Sequence, residues 1–198
     1  VPEPTRSDVA DIMFGLQRRL LRCFEIHQIV RDQVAVGVDA VARDGIRSQA
    51  MGQVLEIPSV LDLENHVDSF LQSAKLALAD AGRILNPFFA QQFDHKFNQI
   101  VKWASKTFPA DHPVVHEVLA CEPSVKGIVD MRNAIDHPKD QPLGRLVATN
   151  FDVKFVDGTP SLIEPSWGLS GELPRPIVPG MDDIVENILT IGERLLSI

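Results

Sequence analysis

Residues 59–85 read SVLDLENHVDSFLQSAKLALADAGRIL, and the spacing of the apolar positions in this stretch decides the fold class. Leu63, Val67, Phe70, Leu71, Ala74, Leu78, Ala81 and Leu85 recur three and four residues apart, the period that places side chains on one face of an α-helix. Ser59 with Asp62 three residues later has the form of a capping box, and Asn86-Pro87 supplies a stop. The stretch therefore predicts a long helix with one face committed to a core. A chain made mostly of such segments forms an all-α helical bundle.

Upstream, Ile12, Leu16, Leu20 and Phe24 keep the same period with Arg18, Arg19 and Arg22 between them, which predicts a helix from Ser7 to about Asp32. Residues 33–57 mix Val and Ala with Gly37, Gly45 and Gly52, the pattern of a short helix inside a loop. Downstream, helices are expected over 91–107, 113–121 and 124–137, set apart by Pro109, Pro113, Pro123 and Pro138. The first 137 residues thus read as wholly helical.

The character then changes. Seven of the 14 prolines fall between Pro138 and Pro179. Phe151, Val153 and Phe155 alternate with polar residues ahead of Asp157-Gly158, as in a β-hairpin or a long ordered loop. Ile184, Val185, Ile188, Leu189, Ile191 and Leu195 restore the helical period from Met181 onward, with Asp182 and Asp183 near the positive end of the helix. The expected architecture is one domain over residues 1–198. It is an all-α bundle with a small hairpin or loop insert at 138–180 before the C-terminal helix.

A composition of 44% hydrophobic and 23% charged residues supports one core without metal or disulfide. Cys23 and Cys121 show no C-x-x-C spacing, which argues against a zinc ribbon, a redox dithiol or a disulfide-rich secreted scaffold and fits a cytoplasmic setting. No run approaches the roughly 18 apolar residues of a membrane span, and Val1-Pro2-Glu3-Pro4 lacks signal-peptide character, so no membrane partner is expected. The net charge of −8 works against indiscriminate binding to a polyanion. Arg83, His95, Lys96, Lys102 and Lys106 make the middle of the chain less acidic than its ends.

The cluster Arg132-Asn133-Ala134-Ile135-Asp136-His137-Pro138 carries the strongest chemical signal. On a helical wheel Val125, Ile128, Val129 and Ile135 form an apolar stripe with Arg132 near its middle. A guanidinium there needs a partner, an interface or a ligand, and Asp136 four residues on is the local candidate. Asn133 and His137, also four apart, share a neighbouring face at the helix end, where the dipole favours a positively charged ring. Read by spacing alone, the cluster is either a structural ion pair with a capping histidine or a catalytic group.

These residues resemble the HEPN superfamily, helical domains whose RNase members carry Arg, then four to six residues, then His, with a polar residue, often Asn, after the Arg. Arg132, Asn133 and His137 fill those three positions, whereas Arg22 and His27 meet only the loose spacing, with Cys23 in the polar slot. The resemblance implies a metal-independent endoribonuclease working as a homodimer, with RNA as substrate, no cofactor, and an antitoxin or regulatory protein as a further partner in a toxin, defence or stress role. His137 would serve as general acid or base, Arg132 would stabilise the phosphorane, and Asn133 would orient the phosphate. The alternative is a catalytically inactive helical module for dimerisation or for nucleotide or protein binding. His112, His116, Glu117 and Cys121 line up on one helix without a further ligand group, so they are expected to be capping or solvated rather than a metal site. Trp167 is expected to anchor the insert to the core in preference to stacking on a base.

Overall fold

The computed structural model describes residues 6–49, 54–94, 96–137 and 144–198. Among these, six helices are present: α1 (Arg6–Asp44), α2 (Leu63–Arg83), α3 (Leu85–Phe89), α4 (Phe97–Thr107), α5 (Pro113–Asp136) and α6 (Ile177–Leu196). α2 lies at the centre because it is apolar on most sides: Val67, Phe70, Leu71, Ala74, Ala77, Leu78 and Ala81 are all buried, and it packs on α1, α4, α5 and α6. α6 is the second inner helix and also touches both α1 and α5. α1 and α5 therefore flank the α2/α6 pair. Contacts of α6 with α1 (Leu16 beside Gly192, His27 with Asp182) and with α5 (Glu117 with Arg194, Ser124 with Asn187) show that α6 runs antiparallel to both.

The strands are β1 (Arg47–Gln49), β2 (Val54–Glu56), β3 (Leu146–Thr149), β4 (Asp152–Val156), β5 (Thr159–Ile163), β6 (Ser166–Leu169) and β7 (Arg175–Pro176). β1 pairs with β2, β4 with β5, and β6 lies between β3 and β7, all antiparallel. The pairs Leu146↔Leu169, Thr149↔Ser166, Asp152↔Ile163 and Val156↔Thr159 share one register. β3 to β6 is therefore a single long hairpin, broken only at Asn150-Phe151 and Glu164-Pro165. Its tip is Asp157-Gly158, both at positive φ (50° and 78°), the type I′ geometry that matches the twist of paired strands.

The break is where the hairpin is tied to the bundle. The Asn150 side chain accepts from Val60 N–H at 2.9 Å and donates to Val60 C=O at 2.8 Å. Phe151 is buried against Gly37 of α1, where a Cβ would stand 2.7 Å from the ring. Trp167 is 2% exposed, its ring 6.1 Å from that of Phe70 on α2, and it presses so closely on Gly180 that a Cβ there would reach 2.5 Å from Nε1. It anchors the insert, as expected.

The all-α expectation is corrected by the seven strands. Two of them precede residue 137, so the first part of the chain is not wholly helical either. The reason is α1: it continues through the glycine-containing stretch to Asp44, because Val34 and Gly37 still face the core, and a β1/β2 hairpin replaces the expected short helix. The capping box also fails. Asp62 itself is the N-cap, at φ 52°, with its side chain accepting from Asn65 Nδ2 and not from a helix N–H, and Pro87 lies inside short α3 instead of ending a helix. α5 runs unbroken through Pro123, which is exposed; packing on α2, α4 and α6 offsets the few kcal/mol that an interior proline costs.

Both thiols are buried. Burial pushes Cys23, lying 3.8 Å from Phe70 C=O, up to about 12, and also raises Cys121. Since the thiolate is the reactive species, the native protein is expected to release no thionitrobenzoate from a disulfide reagent, and the denatured protein two equivalents, one for each of its 2 cysteines. Titration of a thiol in the native state would contradict this packing.

Candidate functional site

The C-terminal half of α5 meets a polar stripe on α2 made by Asp68, Gln72 and Lys75, spaced to share one side of that helix. Arg132, 9% exposed, lies between the two helices as the wheel required. Its Nε donates to Gln72 Oε1 at 2.8 Å, and its Nη1 lies 2.7 Å from Asp136 Oδ1 and 3.4 Å from Asp68 Oδ1. The Nη1 contacts are ion pairs without hydrogen-bond alignment. One buried cation thus faces two carboxylates on separate helices, which removes the penalty of an unpaired charge and ties α5 to α2.

Asn133 points away from this cluster. Its Oδ1 accepts from Lys75 Nζ at 3.0 Å, and it lines a 510 Å³ cleft with Lys96 just ahead of α4, Phe97 of α4 and Lys126 of α5. His137 closes α5: its backbone N–H donates to Asn133 C=O at 2.7 Å, and its side chain is exposed. A second cleft, of 660 Å³, runs along Asp68, Ile135 and the start of β3 from Arg145 to Ala148. Pro138 lies outside the described residues, as does His95.

Arg132, Asn133 and His137 are thus neighbours that do not converge within one chain. Arg132 is turned to α2, Asn133 to the lysine-lined cleft, and His137 to solvent. The Arg132 to Asp136 pair was legible from their four-residue spacing. Asp68, Gln72 and Lys75 were not singled out, although polar residues at 68, 72 and 75 beside an otherwise apolar face were the available signal.

The remaining candidates have local roles. His112 caps α5, its Nδ1 accepting from Val114 N–H at 3.2 Å. His116 approaches Glu117 at 3.2 Å, and Glu117 also pairs with Arg194 at 2.7 Å. Those two partners hold the Glu117 carboxyl below the usual range, the Arg194 bond contributing most. His27 is buried with Nε2 3.3 Å from Asp182, whereas Arg22 is exposed and pairs with Glu25, so that spacing match assembles nothing. Among the described residues no helix is long and apolar enough to cross a membrane. Compared with family models, curated proteins and solved structures, the chain matches none.

Proposed function

We propose that this chain is a HEPN-like, metal-independent endoribonuclease whose site is completed by a second copy and whose arginine is held by carboxylates in the single chain. The reading rests on the Arg132-Asn133-His137 resemblance. The observation that supports it is a buried guanidinium at the end of α5 with an exposed histidine five residues later. In the reaction His137 takes the proton of the ribose 2′-hydroxyl, the 2′-oxygen bonds to phosphorus, and the bond to the 5′-oxygen breaks. The products are a 2′,3′-cyclic phosphate and a 5′-hydroxyl, the proton passing to the leaving oxygen. Arg132 stabilises the phosphorane charge, which requires it to exchange at least one carboxylate for phosphate oxygen.

That requirement gives a test. Asp136→Asn leaves Arg132 one anionic partner fewer, and cutting of RNA in EDTA is expected to rise about fivefold, the factor set by roughly 1 kcal/mol of relieved competition. A fall in rate would show that Asp136 supports the arginine in catalysis instead of withholding it.

One observation favours a second reading, a helical pairing or binding module without nuclease activity. Arg132 is already matched by Asp136, Asp68 and Gln72 within one chain. On that reading the cluster ties two helices together and RNA is left intact by every variant.

A further inference from the structure

Where α5, α6 and β6 meet, a cleft of 510 Å³ opens beside Trp167. Four carboxylates line it: Asp130 of α5, Glu172 in the turn from β6 to β7, and Asp183 and Glu186 of α6. Against them stands one guanidinium, that of Arg175 on β7. Lys126 accompanies Asp130 at 3.5 Å, whereas Glu172, Asp183 and Glu186 are exposed and have no ion-pair partner among the described residues.

The base of the cleft carries the opposite chemistry. Trp167 is 2% exposed, and the indole atom closest to Gly180, itself part of the lining, is Nε1. That N–H has no acceptor among the described residues, yet it is not sealed in the core. A donor so placed is completed by an acceptor that enters the cleft. Arg175 stands directly opposite Trp167 in the β6/β7 register, and residues opposite one another on antiparallel strands point to the same face. Two neighbouring donors thus confront a wall of carboxylates on α5 and α6. Gly127, inside α5, adds width: a Cβ there would meet nothing within 4 Å, so no neighbour demands a residue that weakens a helix relative to alanine.

We infer that this cleft binds a free basic amino acid, its carboxylate against Arg175 and the Trp167 N–H and its cationic groups against the acidic wall. The two poles select this class, since the carboxylates call for a cation and the two donors for an oxygen anion on the same molecule. The volume is that of a small-molecule site. The same wall repels a phosphate chain, and neither Arg132, Asn133 nor His137 lines the cleft. Binding here is therefore independent of the ribonuclease reading.

L-arginine is the probe. Calorimetric titration is expected to show saturable binding with a Kd of about 1 mM or tighter, an ordinary efficiency for about a dozen heavy atoms. The ligand should also shift the indole N–H resonance of Trp167. Asp183→Asn with Glu186→Gln, at two exposed positions that leave the fold intact, is expected to weaken binding about tenfold. Arg175→Gln reads the other pole. It makes the cleft more acidic and should tighten agmatine, which keeps the guanidinium but lacks the carboxylate, while weakening L-arginine about fivefold. Gly127→Ala is expected to raise the melting temperature by about 2–4 °C and yet to weaken binding, which separates the site from the fold. Heat that does not saturate by about 10 mM L-arginine or L-lysine would overturn the proposal. So would an unchanged affinity in the Asp183/Glu186 double variant, or tighter binding of L-arginine by Arg175→Gln.

Discussion

His137→Ala is expected to cut the rate of RNA cleavage in EDTA by about 10²–10⁴-fold, the contribution of a positioned proton-transfer group. Stability should be unaffected. The His137 ring is exposed, and the hydrogen bond that the residue makes at the helix end uses its backbone N–H, which alanine keeps. The variant is thus a clean probe of chemistry. The measurement is cleavage of structured and single-stranded RNA by wild type and variant at matched oligomeric state, with the cyclic phosphate end assayed directly. Equal cutting by both would move the activity elsewhere on the chain, and no cutting by the wild type across diverse RNAs would leave the binding module as the reading to pursue. Arg132 is a poorer first probe, because its removal leaves Asp68 and Asp136 facing a buried gap and confounds folding with catalysis.

The largest stability effect is expected at Trp167. Replacing it by Ala removes an indole that is buried between Phe70 and Gly180, and large aromatic truncations of this kind cost about 3–5 kcal/mol. For a chain of this size the melting temperature would fall by about 10 °C. The loss should be larger than that for Phe155→Ala at the hairpin, since Phe155 is 64% exposed and little water is excluded by it. A scanning-calorimetry comparison decides the point, and equal melting temperatures for the two variants would mean that the insert is not anchored through its tryptophan.

The sequence made the helical elements legible where periodicity and punctuation agreed. α2 and α6 follow from their apolar spacing, and the hairpin tip from Asp157-Gly158 after an alternating run. It misled where punctuation opposed packing. Pro123 reads as a boundary, yet a proline whose ring faces solvent costs one helical bond, and three neighbouring helices hold the rest of α5 in line. Gly37 reads as a helix breaker, yet it is retained because Phe151, more than a hundred positions later, occupies the space a side chain would fill. Such contacts have no local trace. The same holds for the site: Asp136 was visible because it is one helical turn from Arg132, whereas Asp68, Gln72 and Lys75 reach the site only through the packing of α2 on α5.

The hairpin from β3 to β6 interrupts the order of the helices but not their support. Asn150 fixes the peptide of Val60 just ahead of α2, Phe151 fills the notch at Gly37, and Trp167 covers Phe70. A shortened chain that kept only the six helices would thus open two holes, at Gly37 of α1 and at Phe70 of α2, and strip the Val60 peptide of its Asn150 bonds. The smallest independently stable unit consequently includes the strands, and any transplant of the Arg132 corner into another scaffold has to carry them along.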